Sequence, residues 1–287
     1  MSTATMKRPR SAAPGAAGSG KLSFPGVLRG EFIKFFSLPS TMILILSTVV
    51  VMVAFAALGA WLIGWSMGMA AESPEMAASM GDMGEVTAAL PTSGLAFAQL
   101  IIGALAVMVM SSEFATGAAR STFVAVPTRQ PVFWAKTLMI GIVSAVVATV
   151  SILLSFAVAK PIAGAYDLEL VFSSEALQRA MWVGVLYVVM VSLIGMALGA
   201  LLRNSAGGIV VLAALFFVLP LAMGGFSALA DWLAKAMRFL PDQAGAALMQ
   251  LQLAPGGLEQ WQNGLVVAAW IVIPLVAAAV VLQRRDI

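Results

Sequence analysis

Between Ser111 and Lys136 the chain runs through Glu113, Phe114, Thr116, Gly117, Arg120 and Phe123, then reaches Pro127, Arg129 and Pro131. Glu113, Thr116 and Arg120 are three and four residues apart, a spacing that places them on one face of a helix over 113–124. Phe114, Ala118 and Phe123 supply an apolar side, and Pro127 ends the element. A carboxylate, a hydroxyl and a guanidinium on one face can make charge-assisted hydrogen bonds with a docked protein. The chemistry on offer is therefore recognition rather than catalysis. The competing reading is a solvated loop whose charges pair on their own surface, where such pairs are weak.

The rest of the composition narrows the chemistry further. The 287 residues contain neither His nor Cys, which removes the commonest general base, the thiol nucleophile and the usual metal ligands. No catalytic, cofactor-binding or metal-binding residue is expected. Gly15-Ala16-Ala17-Gly18-Ser19-Gly20-Lys21 follows a phosphate-binding loop until Leu22, where the pattern needs Ser or Thr for a magnesium ion. It also lacks the flanking strand and helix, so it reads as a linker. The formal net charge is +3, and the basic residues neither form a continuous patch nor alternate with aromatics, which argues against nucleic acid as a partner.

The elements that hold the polar stretch in place are apolar. Hydrophobic residues make up 61% of the chain and charged residues 10%, with a mean hydropathy of +0.99. This composition fits an all-α polytopic membrane protein rather than a water-soluble domain. Six charge-free windows, near 41–64, 92–111, 137–159, 180–202, 205–225 and 264–282, can each hold the roughly 20 apolar residues of a spanning helix. Only Arg203 and Asn204 separate the fourth from the fifth, which predicts a tight turn.

Residues 1–24 read as a disordered basic tail, and 25–287 as one six-helix membrane domain. The first apolar run begins only after Lys34 and is too long for a cleaved signal, so it is expected to be a retained anchor. Before it, Pro25 can open a helix in which Val27, Leu28, Phe32, Phe35 and Phe36 alternate with Arg29, Glu31 and Lys34. That pattern predicts an amphipathic interfacial helix ended by Pro39, the alternative being a plain extension of the first span.

With the amino terminus inside, twelve of the 16 Lys and Arg fall in cytoplasmic segments and four, Lys160, Arg179, Lys235 and Arg238, fall outside. Both termini are thus expected in the cytoplasm. The long segment 226–263 should form two short interfacial or re-entrant outer helices, with Trp232 and Trp261 at headgroup depth.

Inside the six windows there is no Asp, Glu, Lys or Arg, which argues against an ion-coupled carrier or a charge-ringed channel. Gln99, Ser144, Ser155 and Ser192 are the polar groups that keep a carrier in play. The Gly195/Gly199 and Gly64/Gly68 pairs permit close helix approach, within the subunit in the simpler reading and across a dimer in the other. Met67, Met69, Met76, Met80 and Met83 are expected to be apolar filler rather than a soft-metal route.

Three places resemble the permease subunits of ABC-2 type ATP-binding-cassette transporters, the type V exporter fold. They are Arg29-Gly30-Glu31-Phe32-Ile33-Lys34 with Ser37 to Thr41, Glu113-Phe114-Ala115-Thr116-Gly117-Ala118-Ala119-Arg120 with Pro127, Arg129 and Lys136, and the terminal Arg284-Arg285-Asp286. The middle one is the most specific. The resemblance implies an interfacial helix over 25–38 carrying Arg29, Glu31, Phe32 and Lys34. It also implies a coupling helix over 113–124, with Glu113, Phe114, Thr116, Gly117, Arg120 and Arg129 meeting a cytoplasmic ATPase. By the same likeness two permeases, identical or not, pair with two separate ATPases in a bacterial cell membrane. ATP and magnesium are then bound by the partner, and an amphipathic drug, peptide antibiotic or lipid-like substrate is exported or flipped. The alternatives are an ion-coupled secondary carrier and a non-transport membrane sensor or scaffold.

Overall fold

The computed structural model describes residues 23–70, 83–115, 130–227, 230–253 and 255–284. The basic tail, Met76 and Met80, the middle of the proposed coupling segment and the terminal Arg285 and Asp286 lie outside the described residues.

Among the described residues the chain is helical, with no strand. In order come α1 (Phe24–Phe36), α2 (Pro39–Ala70), α3 (Met83–Ala88), a 3-10 turn (Leu90–Thr92), α4 (Leu95–Ala115), α5 (Gln130–Gly164) and α6 (Glu175–Leu202). Then follow α7 (Ser205–Ala213), a π-helical stretch (Ala214–Val218), α8 (Leu219–Phe226), α9 (Asp231–Met237), α10 (Pro241–Met249) and α11 (Gln260–Arg284). Six helical segments are long and apolar enough to cross a membrane. They are α2, the 3-10 turn with α4, α5, α6, the α7–π–α8 unit, and α11. Each overlaps one of the six windows, and most extend beyond it. A charge or a proline ends an apolar window but need not end a helix, because a helix continues as long as its backbone bonds and packing are satisfied.

Local signals explain the boundaries. Ser23 caps α1 by accepting a hydrogen bond from the Gly26 amide at 3.3 Å, and Pro25 stands in the first turn. The Ser37 amide closes onto the Ile33 carbonyl, so α1 ends before Pro39 opens α2. α1 is therefore a separate helix and not an extension of the first span. Arg203 takes a left-handed conformation at the end of α6, with φ of 52°, and Asn204 then caps α7 through a 3.0 Å bond from the Gly207 amide. The two-residue turn expected from Arg203 and Asn204 is present.

α4, α5 and α6 form the centre of the bundle. The α4–α6 contact is close because α6 presents glycines to α4: a Cβ on Gly195 would meet the Gly103 carbonyl oxygen at 2.6 Å, and one on Gly199 the Val107 carbonyl oxygen at 2.6 Å. The small-residue pair thus serves packing within the subunit. Gly199→Leu is expected to force the two helices apart and cost about 1–3 kcal/mol or more of overpacking, seen as a lowered thermal unfolding midpoint of the purified chain. Large apolar residues such as Leu46, Trp61 and Trp65 of α2 and Val210 and Leu221 of the fifth span are exposed. Such outward apolar faces are what a hydrocarbon solvent requires.

The polar side chains inside the spans are largely satisfied by their own helices. Ser144 donates to the Gly141 carbonyl, Ser192 to the Val188 carbonyl and Ser151 to the Val147 carbonyl. Ser155 Oγ has no partner among the described residues. Trp232 and Trp261 are both exposed.

Candidate functional site: a buried ion cluster and a polar cleft

Charged groups from three helices meet at the end of the bundle that carries the α6–α7 turn. Glu31 comes from α1, Glu113 from the last turn of α4 and Lys136 from the second turn of α5; they are 7%, 3% and 2% exposed. Lys136 Nζ is paired with Glu31 Oε2 and also donates to Glu113 Oε1 at 3.2 Å. Lys34, one turn on from Glu31 in α1, pairs with the same Glu113 oxygen, and its side chain is 43% exposed. Two acids and two bases alternate, so each carboxylate faces a lysine and the cluster is neutral. Three of the four members are out of water, and a buried charge that loses its only partner is far costlier than an exposed one. The partly exposed Lys34 pair contributes less.

The sequence places these groups through simple periodicity. Glu31 and Phe35 are four residues apart on the face of α1 that packs against α5, and both are buried. Phe32 is partly buried against the core, whereas Arg29, Ile33 and Phe36 point outward. α1 is thus amphipathic in a second sense, with a carboxylate turned inward.

Other ends join at the same level. Ser111 Oγ and Ser205 Oγ are 2.7 Å apart, linking α4 to α7. The Arg203 guanidinium lies over the Phe114 ring at 5.0 Å, and Gln130 Nε2 donates to the Ala279 carbonyl at 3.0 Å, joining α5 to α11.

Of the residues expected to meet an ATPase, Glu113 belongs to this cluster and Phe114 is partly buried against the core beside Arg203. Thr116, Gly117, Arg120 and Arg129 lie outside the described residues. Glu113 cannot touch a docked protein with its own carboxylate while it is buried between two lysines. Its available role is to fix α4 against α1 and α5. α4 continues to Ala115 and α5 begins at Gln130, so Glu113 and Lys136 lie in the end turns of helices long and apolar enough to cross a membrane, beyond the charge-free windows, and they are paired there.

A second polar feature lies away from the cluster. α10 packs on α6 and α11, and its Gly245 sits so close to the Tyr187 ring that a Cβ there would be 2.3 Å from it. Pro241, Ala244 and Gly245 are buried on the face of α10 that packs against these helices. Tyr187, near the midpoint of α6, donates its hydroxyl hydrogen to Gln99 Oε1 of α4, and Gln99 Nε2 donates to the Ala96 carbonyl at 3.0 Å. A cleft of about 340 Å³ opens beside this pair, between α4, α6, the π stretch and α10. Asp242 is its one charged lining residue among the described residues. Burial pushes the Asp242 carboxyl above the usual carboxylate range, with hydrogen bonds from the Gln243 side chain and the local backbone working against it. Sequence reasoning singled out Gln99 but missed Tyr187 and Asp242. The available signal was an isolated Tyr in an otherwise apolar run, since a buried phenol needs a partner.

No group of three or more potential metal-binding His, Cys, Asp or Glu residues is present among the described residues. Compared with known proteins, the chain matches no family model and no curated sequence.

Proposed function

We propose that this chain is the transmembrane subunit of an ATP-binding-cassette transporter, of the ABC-2 kind that its sequence resembles. It would export or flip an amphipathic substrate using ATP hydrolysed by two separate cytoplasmic ATPase subunits, in company with a second permease in a bacterial cell membrane. The observation that carries this reading is the neutral Glu31–Lys136–Glu113–Lys34 cluster, buried except at Lys34. It joins α1 to the facing ends of α4 and α5, and the proposed coupling segment over 113–124, with Arg129, starts from that end of α4. A push on that segment would then move three elements together. Energetically, the ATPase must bind one arrangement of that body better than another, since only differential affinity shifts a two-state equilibrium.

An ion-coupled carrier draws on the same charges, because buried ionisable groups in spanning helices commonly mark ion pathways. Here every carboxylate of the cluster already faces a lysine, which favours a mechanical fastening over an ion-binding relay. Reconstitution separates the two. ATP-dependent transport in proteoliposomes is expected only when a cytoplasmic ATPase partner is supplied. Ion-gradient-driven transport by this chain alone would overturn the proposal, and failure to recover any ATPase on affinity purification would favour a sensor or scaffold.

A further inference from the structure

We propose that the cleft between α4, α6, the π stretch and α10 binds the cationic headgroup of a lipophilic amine, with the Asp242 carboxylate as its counter-ion. The inference rests on the reading above that the substrate is amphipathic, and it assigns that substrate a positive charge.

The charge and the hydrogen bonds lining the cleft bear on the sign. Thr92 Oγ1 donates to the Ala89 carbonyl at 2.9 Å, and Ser93 Oγ donates to the Leu90 carbonyl at 2.8 Å. Tyr187 spends its only hydrogen on Gln99, and Gln243 Nε2 donates to Asp242 Oδ2 at 2.8 Å. The hydroxyl hydrogens are thus spent within the protein, one N–H each of Gln99 and Gln243 remains, and the only formal charge lining the cleft among the described residues is the Asp242 carboxylate, which favours a cation. Asp242 Oδ1 is buried and has no hydrogen-bond partner among the described residues. A carboxylate half removed from water in this way is stabilised by an arriving cation, and the burial that raises its pKa measures the same cost.

The walls suit an organic cation. Phe216 and Phe217 both line the cleft, with Phe216 packed edge-on to Tyr187 at 6.4 Å between ring centroids. Aromatic faces attract ammonium groups, and π-helical stretches such as the one carrying these two phenylalanines are frequent at functional sites. A divalent metal ion would need about six or more oxygen ligands, whereas the cleft supplies one carboxylate. About 340 Å³ accommodates a headgroup and adjoining carbons. Exposed Ser93, Ala96, Gln243 and Ala246 leave the rim open for an apolar remainder to extend outward. The nearby Arg238 lines a separate cleft, and its guanidinium is engaged by the Gly256 carbonyl.

The test uses the full chain in phosphatidylcholine nanodiscs and radiolabelled 2-phenylethylammonium. Saturable binding is expected, with the uncharged 2-phenylethanol competing at least about tenfold more weakly, a difference equivalent to about 1.4 kcal/mol. Asp242→Asn should lower affinity by a similar factor and Phe217→Ala by severalfold. Asp231→Asn, an exposed acid on α9, should leave it unchanged. Equal competition by the alcohol, absence of saturable binding, or full affinity in a stably folded Asp242→Asn chain would overturn the site. Binding needs no ATPase, so the two proposals fail separately. Amine binding without ATP-driven transport would sink the transporter reading alone, and ATP-driven transport with no amine binding would sink the cation site alone.

Discussion

Lys136→Ala is expected to destabilise the fold by about 3–5 kcal/mol, the usual consequence of removing one partner from a buried ion pair. The ammonium sits between Glu31 and Glu113, both nearly inaccessible to water. Without it Glu31 loses its only ion-pair partner among the described residues, and Glu113 keeps only the half-exposed Lys34. The measurement is the thermal unfolding midpoint of the purified chain, set against Arg29→Ala, an exposed cation on the same helix α1, which should change stability by no more than about 0.5 kcal/mol. Adding Glu31→Met to Lys136→Ala should recover much of the loss, because one stranded carboxylate is then gone. Equal midpoints for Lys136→Ala and Arg29→Ala would mean that water reaches the cluster freely.

The same residues show how far sequence reasoning reaches. Six helices long and apolar enough to cross a membrane, the helix break before Pro39 and the turn at Arg203 and Asn204 were legible, because hydrophobic run length, proline and capping residues act locally. The partners of Lys136 were not. Glu31 is 105 residues away and Glu113 is 23 away, and no periodicity on one helix says which other helix it will face. The surface that Glu113 was expected to share with Thr116 and Arg120 follows from spacing within one segment, whereas its burial is decided by α1 and α5. The cleft was hidden for a similar reason. Asp242 looks like an ordinary acid in the first turn of α10, which favours negative charge there, and only the packing of α10 against Tyr187 gives it a partly buried setting.

Replacing the whole cluster, with Glu31→Met, Lys34→Met, Glu113→Met and Lys136→Met, separates fastening from signalling. Apolar side chains of similar volume can replace a buried ionic group with no loss of stability, or with a gain of about 1–4 kcal/mol. The four-site chain should therefore fold at least nearly as well as the original. If the cluster carries motion from the docking segment to α1 and α5, ATP-driven transport by the assembled complex should fall at least about tenfold, equivalent to about 1.4 kcal/mol of lost coupling. ATP hydrolysis by the partner subunits should persist at its basal rate without stimulation by substrate. Paired charges hold α1 in one register, because sliding it by a turn would strand Glu31 beside an apolar neighbour, whereas four methionines pack almost as well after such a slip. Single reversal of Glu113 is less informative, since it would damage folding and coupling at once. A stable four-methionine chain that transports at the original rate would show that these charges fasten the helices and transmit nothing.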